Sequence, residues 1–118
     1  MSDWKSEFEL ELERAAHARS SGKEGRARVC ARRAAGIAVR EYLRRQGKDF
    51  HTTSAYDLLN VLVKDPNLPD ECRRSASHLT LTVNEEFKLP AGVDLLVEAR
   101  TLCYELLSEP GKSGLLTG

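Results

Sequence analysis

The stretch "ARVCARRAAGIAVREYLRRQG", residues 27–47, decides the fold. Its apolar side chains recur in steps of three and four residues, which is the spacing of a helix face, and they cover more than half of the circumference. They are Ala27, Cys30, Ala31, Ala34, Ala35, Ile37, Ala38, Val39, Tyr42 and Leu43. A helix that is apolar over so wide an arc has several neighbours, and alanine lets them approach closely. We therefore expect a long central helix over residues 23–46, with Gly47 just past its end.

Four further segments have helical periodicity, over residues 3–20, 54–64, 69–83 and 93–107. The break at 20–25 contains Ser21 and Glu24 at the capping-box spacing, and Pro69 suits a first helical position. Connections as short as these join mainly antiparallel neighbours. The sequence predicts an all-α fold, a compact bundle of about five mainly antiparallel helices whose second helix touches the other four. We expect one domain over residues 1–108 and a flexible tail over 109–118.

Charge and cysteine content exclude several classes of protein. The net charge is +0, but residues 1–50 hold 12 basic and 8 acidic residues, while residues 51–118 hold 6 and 10. A neutral chain has no overall field that would recruit nucleic acid or a membrane. The three cysteines are far apart and suggest no disulfide framework, and no apolar run approaches the length of a membrane span. These features predict a cytoplasmic location without membrane contact.

The order of the segments resembles a known family. The alanine-rich helix is followed by a loop with His51, by "SAYDLLNVL" (54–62), by a further helix and a proline-containing break, and by a closing helix with "VEARTLCYELL" (97–107). This order resembles the HEPN domains of prokaryotes over about residues 5–108. The resemblance implies a small helical bundle, often a homodimer, and a nucleotidyltransferase-like protein as a candidate partner, because the two are commonly coded side by side.

The resemblance implies one of two behaviours. Some HEPN domains are metal-independent ribonucleases built around Arg-x(4–6)-His, whereas others lack that motif and act as partners or ligand-binding modules. Many small members carry Tyr or Arg next to a proline in the loop before the last helix. The corresponding loop here is "NEEFKLPAG" (84–92), with Phe87 and Lys88 before Pro90, so no role is carried over to that loop.

The stretch "CRRSASHLTL", residues 72–81, holds the candidate catalytic pair Arg73 and His78. Histidine can move the proton of an RNA 2′-hydroxyl, and arginine can stabilise a phosphorane-like transition state. Five residues turn a helix by about 140°, so the two side chains do not share a face within one chain, although they could still converge across a dimer. Arg74 and His78 form an i, i+4 pair. The alternative is an ordinary solvated helix surface.

Arg26, Arg33, Arg40 and Arg44 fall on one narrow arc of the central helix and are the candidate nucleic-acid or anion site. Residues 23–48 hold nine basic and two acidic residues, which could form a track for phosphates. The alternative is a solvated face that pairs with the first helix, where residues 3–13 hold five acids and one base. Neutral overall charge and the lack of interleaved aromatic residues favour this alternative.

No metal or cofactor is expected. Cys30, Cys72 and Cys103 lie on apolar helix faces, and with the histidines they form no CxxC or HxxxH spacing. "PGKSG" (110–114) is not a phosphate loop, because Leu106 stands where the first glycine is needed. The sequence therefore predicts a non-enzymatic HEPN-like interaction or regulatory module, as a homodimer. The alternative is a metal-independent HEPN-type ribonuclease using Arg73 and His78, and a third interpretation is a regulatory domain that binds a small molecule or nucleotide in an interhelical groove.

Overall fold

The computed structural model describes residues 3–48, 52, 54–81 and 93–107, and in these residues it consists of α-helices without β-strands. The helices are α1 (Trp4–Ser20), α2 (Glu24–Arg45), α3 (Ala55–Val63), α4 (Asp70–Leu79) and α5 (Leu95–Leu107). The predicted all-α bundle is thereby confirmed. The expected tail over 109–118, the loop over 84–92 and His51 lie outside the described residues.

The central position of α2 is confirmed, since it contacts α1, α3, α4 and α5. Its five buried alanines are fully inaccessible to solvent: Ala27, Ala31, Ala34, Ala35 and Ala38. Larger side chains would hold the neighbouring helices apart, so the alanines are the local reason that one helix can be packed on several sides. The large side chains of the core come mostly from α3, α4 and α5, and α2 adds Val39. They are Leu59, Leu62, Leu79, Leu95, Leu102 and Val39, all of which are buried.

Contacts between the helix ends show that α1 runs antiparallel to both α2 and α5. Trp4 at the start of α1 lies beneath the guanidinium of Arg45 at the end of α2, 5.8 Å from ring centroid to Cζ. Arg19 near the end of α1 pairs with Asp94 just before α5 at 2.9 Å, and Glu9 pairs with Arg100 further along α5. The short turn between α1 and α2 imposes the first of these two arrangements.

The turn between α1 and α2 differs from the prediction. Ser21 does not cap α2; the N-cap is Lys23, and no side chain caps this end. The backbone N–H of Lys23 instead donates to Ala18 O at 2.8 Å, and that of Gly22 donates to Arg19 O at 3.0 Å. This is a Schellman motif, which requires the positive φ of 78° that Gly22 supplies. The helix stop of α1 therefore overrides the capping box of α2.

The end of α2 follows the prediction for Gly47. Gly47 has a φ of 75°, its N–H donates to Arg44 O, and the N–H of Lys48 donates to Leu43 O at 2.9 Å. The same Schellman geometry thus ends both long helices.

Helix α4 is shorter than the predicted range of 69–83. Pro69 precedes the helix as its N-cap, with an extended ψ of 149°, instead of occupying the first helical position. The helix ends at Leu79 because Arg32 of α2 captures the carbonyl oxygens there: its Nε donates to Leu79 O at 2.6 Å and its Nη2 to Leu81 O at 2.9 Å. A residue from another helix therefore fixes the end of α4.

Candidate functional site

Helix α4 gives Arg73 and His78 different partners. Arg73 pairs with Asp70 one turn earlier on the same helix. The Nδ1 atom of His78 lies 2.9 Å from Glu98 Oε2 of α5, and both side chains are mostly buried, at 24% and 20% exposure. Within one chain the structure therefore does not bring the two predicted catalytic residues together.

The His78–Glu98 contact is a carboxylate–imidazole pair. A carboxylate that accepts from Nδ1 fixes the ring orientation and leaves Nε2 free to exchange a proton with another group. Arg73 is less available, because its charge is compensated by Asp70 and its Nε is buried without a hydrogen-bond partner in the described part of the chain. Sequence reasoning missed Glu98, because nothing in the spacing of α5 indicates which side chain faces α4.

The four arginines of the predicted anion site are all exposed on α2, but they have different surroundings. Arg44 makes two hydrogen bonds to the Glu41 carboxylate, at 3.0 and 2.7 Å. Arg40 donates from Nη2 to Thr52 O at 2.7 Å. Arg26 and Arg33 have no partner among the residues that the structure describes. Arg44 is thus compensated by a carboxylate, Arg40 is partly engaged, and Arg26 and Arg33 are not engaged by the described residues.

The expected pairing of these arginines with the acids of α1 is wrong for two of the acids. Glu9 bonds Arg100 of α5 at 3.0 and 3.1 Å, and Glu11 lies 3.6 Å from Arg14 on its own helix. Glu9 lies on the face of α1 that meets α5, whereas Glu11 lies close to Arg33 and Arg40 but makes no ion pair with them.

The three cysteines are free thiols, of which Cys30 and Cys72 are buried. Burial raises the pKa of the Cys72 thiol, and it raises the pKa of Cys103 to about 11. A thiol with a raised pKa is a poor nucleophile and a poor metal ligand. No cluster of three metal-ligating side chains occurs in the described ranges.

Two surface grooves are lined by residues that the structure describes. The first, here called the apolar groove, runs between α1 and α5 with a volume of about 490 Å³, and its lining residues are Leu12, Ala16, Leu96, Val97, Arg100, Thr101 and Tyr104. Val97 and Tyr104, seven residues apart on α5, are 56% and 65% exposed. Sequence reasoning missed this surface, although a second apolar row on α5 was a visible signal.

The second groove, here called the arginine groove, lies where α1, α2 and α3 meet and has a volume of about 420 Å³. Its lining residues are Glu11, Arg33, Gly36, Ile37, Arg40, Ser54, Ala55 and Leu58. Arg33 and Arg40 are thus brought together, whereas Arg26 and Arg44 do not line this groove. Sequence reasoning missed Glu11, because the spacing within α1 does not show which side chain faces the arginines of α2.

Comparison of the chain with protein-family models, with curated proteins and with solved structures gave no match. In the residues described, no helix is both long and apolar enough to cross a bilayer.

Proposed function

We propose that this chain is a non-enzymatic, HEPN-like interaction module that works as a homodimer, with the apolar groove as the interface. The observation that carries the proposal is the exposure of Val97 and Tyr104, at 56% and 65%, beside a groove lined by apolar side chains of α1 and α5. Large side chains exposed side by side along one helix favour a surface that is covered in use.

We propose a second copy of the chain as the occupant, because this surface combines protruding side chains with a depression. Val97 and Tyr104, which are more than half exposed, would form the ridge, and Leu12, Ala16 and Leu96 line the same groove. A two-fold axis can place the ridge of each copy in the depression of the other, which is the geometry of an isologous dimer. Ridges packed into grooves are also the ordinary way in which helices meet.

The charges around the groove permit this approach. Arg100 is the charged residue in the lining, and its guanidinium is compensated by Glu9 at 3.0 Å. The chain has a net charge of +0, so two copies do not repel each other through their overall field. A stable dimer buries about 800 Å² per partner, which would include the rim as well as the ridge.

Light scattering coupled to size-exclusion chromatography tests the proposal on the full chain. We expect a dimer for the natural sequence and a monomer for Tyr104→Lys, because a buried ammonium without a partner is strongly unfavourable. The matched control is Leu10→Lys, at a side chain of similar exposure, 46%, which does not line the groove. A monomer at high micromolar concentration, or equal behaviour of both variants, would refute the proposed interface.

A ribonuclease is the second candidate function, and the His78–Glu98 pair is the observation that favours it. An imidazole oriented by a carboxylate is the arrangement that a general base requires. Incubation of single-stranded RNA with the protein in the presence of a chelator tests this reading. The ribonuclease would be favoured over the non-enzymatic module if the protein cleaves RNA and the His78→Ala and Glu98→Gln variants do not. His17→Ala, at an exposed histidine, is the control and should keep the activity. RNA that stays intact would remove it.

We also propose that the module works in the cytoplasm, where a nucleotidyltransferase-like protein is the partner that the HEPN resemblance suggests. Three free thiols and the lack of any disulfide in the described residues support a reducing compartment. Pull-down of the chain with the protein coded beside it is the direct test. The Tyr104→Lys variant would show whether the partner uses the same groove as the second copy.

A further inference from the structure

The floor of the arginine groove is formed by a close contact between α2 and α3. Gly36 of α2 meets Ala55 at the start of α3 so closely that a Cβ at residue 36 would lie 2.7 Å from the Cβ of Ala55. Glycine therefore lets the two helices touch at this point, and the side chains on either side of the contact form the walls. The volume of about 420 Å³ lies in the range of 300–1,000 Å³ that is typical of small-molecule sites.

The groove offers several donors to an anion. Arg33 and Arg40 are seven residues apart on one face of α2, and Arg33 has no partner in the described ranges. Arg40 uses one Nη2 hydrogen for Thr52 O, which leaves the rest of its guanidinium fork free. The Ser54 oxygen accepts from the N–H of Asp57 at 3.2 Å, so its hydroxyl proton is available for another acceptor. Guanidinium and hydroxyl groups in this arrangement favour a phosphate.

The groove also holds an acceptor that lacks a donor. The Glu11 side chain is only 14% exposed, and its Oε1 is shielded from solvent without a hydrogen-bond partner among the described residues. A buried carboxylate oxygen left in this state costs free energy. A hydroxyl group placed beside Glu11 in the groove would supply the missing donor. The ligand therefore carries a phosphate and hydroxyl groups together.

We propose that the arginine groove binds a small phosphorylated sugar or polyol, with Arg33, Arg40 and Ser54 on the phosphate and Glu11 on a hydroxyl group. A continuous nucleic-acid backbone is a worse fit, because the Glu11 carboxylate would repel the neighbouring phosphates. The described residues that line the groove include no aromatic side chain on which a base could stack. The site uses residues different from those of the apolar groove and does not depend on the dimer.

Isothermal titration of the full chain with ribose 5-phosphate, with inorganic phosphate and with a short single-stranded RNA tests the proposal. We expect measurable binding of ribose 5-phosphate, weaker binding of inorganic phosphate, and still weaker binding of the RNA per phosphate. Absence of ribose 5-phosphate binding, or tighter binding of the RNA, would overturn the proposal.

Three variants assign the contacts. Arg33→Gln should weaken ribose 5-phosphate binding at least about tenfold, whereas Arg26→Gln, at an exposed arginine of the same helix outside the groove, should leave it unchanged. Glu11→Gln should remove the preference for ribose 5-phosphate over inorganic phosphate without lowering the melting temperature, since the ion pair that it removes, Glu11–Arg14, is long at 3.6 Å. Equal binding by Arg33→Gln and the natural sequence would contradict the assignment, as would an unchanged preference in Glu11→Gln.

Discussion

At the scale of single residues, Arg32 shows how one side chain joins two helices. Its guanidinium is half-buried on α2, and it donates to the carbonyl oxygens of Leu79 and Leu81, at and just beyond the last residue of α4. The fork of a guanidinium reaches both oxygens at once, whereas an ammonium group is a single point. The α2–α4 packing therefore depends on arginine at this position and not only on positive charge.

We predict that Arg32→Lys lowers the free energy of unfolding by about 1–3 kcal/mol, because at least one charge-assisted hydrogen bond is lost and a buried carbonyl is left without a donor. Urea denaturation followed by circular dichroism measures the change. Arg33→Lys, at the adjacent exposed residue, is the matched control and should change the stability by less than about 0.5 kcal/mol. Equal losses in both variants would contradict the role given to Arg32.

Glu41 is a second residue whose environment has a measurable consequence. Hydrogen bonds from Arg44 and, to a lesser extent, Arg45 lower the pKa of this buried carboxyl from its ordinary value of 4.5 to about 2. The folded state therefore keeps the carboxylate ionised where the unfolded chain would protonate it. The stabilisation is complete above pH 4.5 and is lost as the pH falls from about 4.5 to about 2.

We predict that Glu41→Gln lowers the free energy of unfolding at neutral pH by about 1 kcal/mol, a modest value because Arg44 is mostly exposed to solvent. Below pH 4.5 the difference between the variant and the natural sequence should shrink. Urea titrations at pH values on both sides of 4.5 measure it. Glu13→Gln, at an exposed carboxylate without a partner in the described part of the chain, should show no such pH dependence. A constant difference would count against the ion pair.

At the scale of elements, the contact between α2 and α3 depends on the missing side chain of Gly36. A Cβ there would lie 2.7 Å from Ala55 Cβ and 3.0 Å from Ala55 Cα, so a methyl group would force the two helices apart. We predict that Gly36→Ala lowers the free energy of unfolding by about 1–3 kcal/mol, as overpacked cores do. Differential scanning calorimetry gives the change in melting temperature.

Gly25→Ala is the matched control for this prediction, since Gly25 lies in the first turn of the same helix and a Cβ there would meet nothing within 4 Å. It should stabilise the protein by up to about 1 kcal/mol, because alanine is the better helix former. The opposite signs of the two changes distinguish crowding from helix propensity. A stabilised Gly36→Ala variant would show that the helices can separate without loss.

The positions of the helices could be predicted from the sequence, whereas the end of α4 and the capping of α2 could not. Periodicity predicts α1, α2, α3 and α5 to within about two residues, because it reflects which side chains are buried. The end of α4 differs from the prediction because Arg32, distant in sequence, binds the carbonyl oxygens there. The capping box at Ser21 does not form because the Schellman turn at Gly22 competes with it, although α2 begins within one residue of its predicted start. Hydrophobic periodicity does not show how a helix ends when another helix fixes that end or when two capping motifs compete for it.

At the scale of the whole molecule, the proposed dimer links stability to concentration. A chain that folds and associates together gains stability by mass action, so its melting temperature should rise with protein concentration. We predict this rise for the natural sequence and a constant melting temperature for Tyr104→Lys, measured by scanning calorimetry over a wide concentration range. A constant value for both proteins would argue that the apolar groove is uncovered in solution.

The two grooves show where sequence reasoning reaches its limit at this scale. The arc of Arg33 and Arg40 was visible from the spacing along α2. Their meeting with Glu11 was not, because it depends on the register of α1 against α2. The pairing of His78 with Glu98 likewise depends on how α4 and α5 are set against each other. Side chains that one helix contributes can be predicted from its spacing, whereas sites that several helices share require their mutual placement.

The buried alanines of α2 also limit how this protein can diverge. Each of them has no accessible surface and is enclosed by another helix, so a longer side chain has nowhere to go. A library of all substitutions at residues 27, 31, 34, 35 and 38 should yield folded chains almost only with glycine, serine or cysteine. Homologues of this chain would then diverge in sequence on their outer helix faces while α2 keeps its small residues. Distant homology would be recognisable in α2 after it could no longer be detected in the other helices.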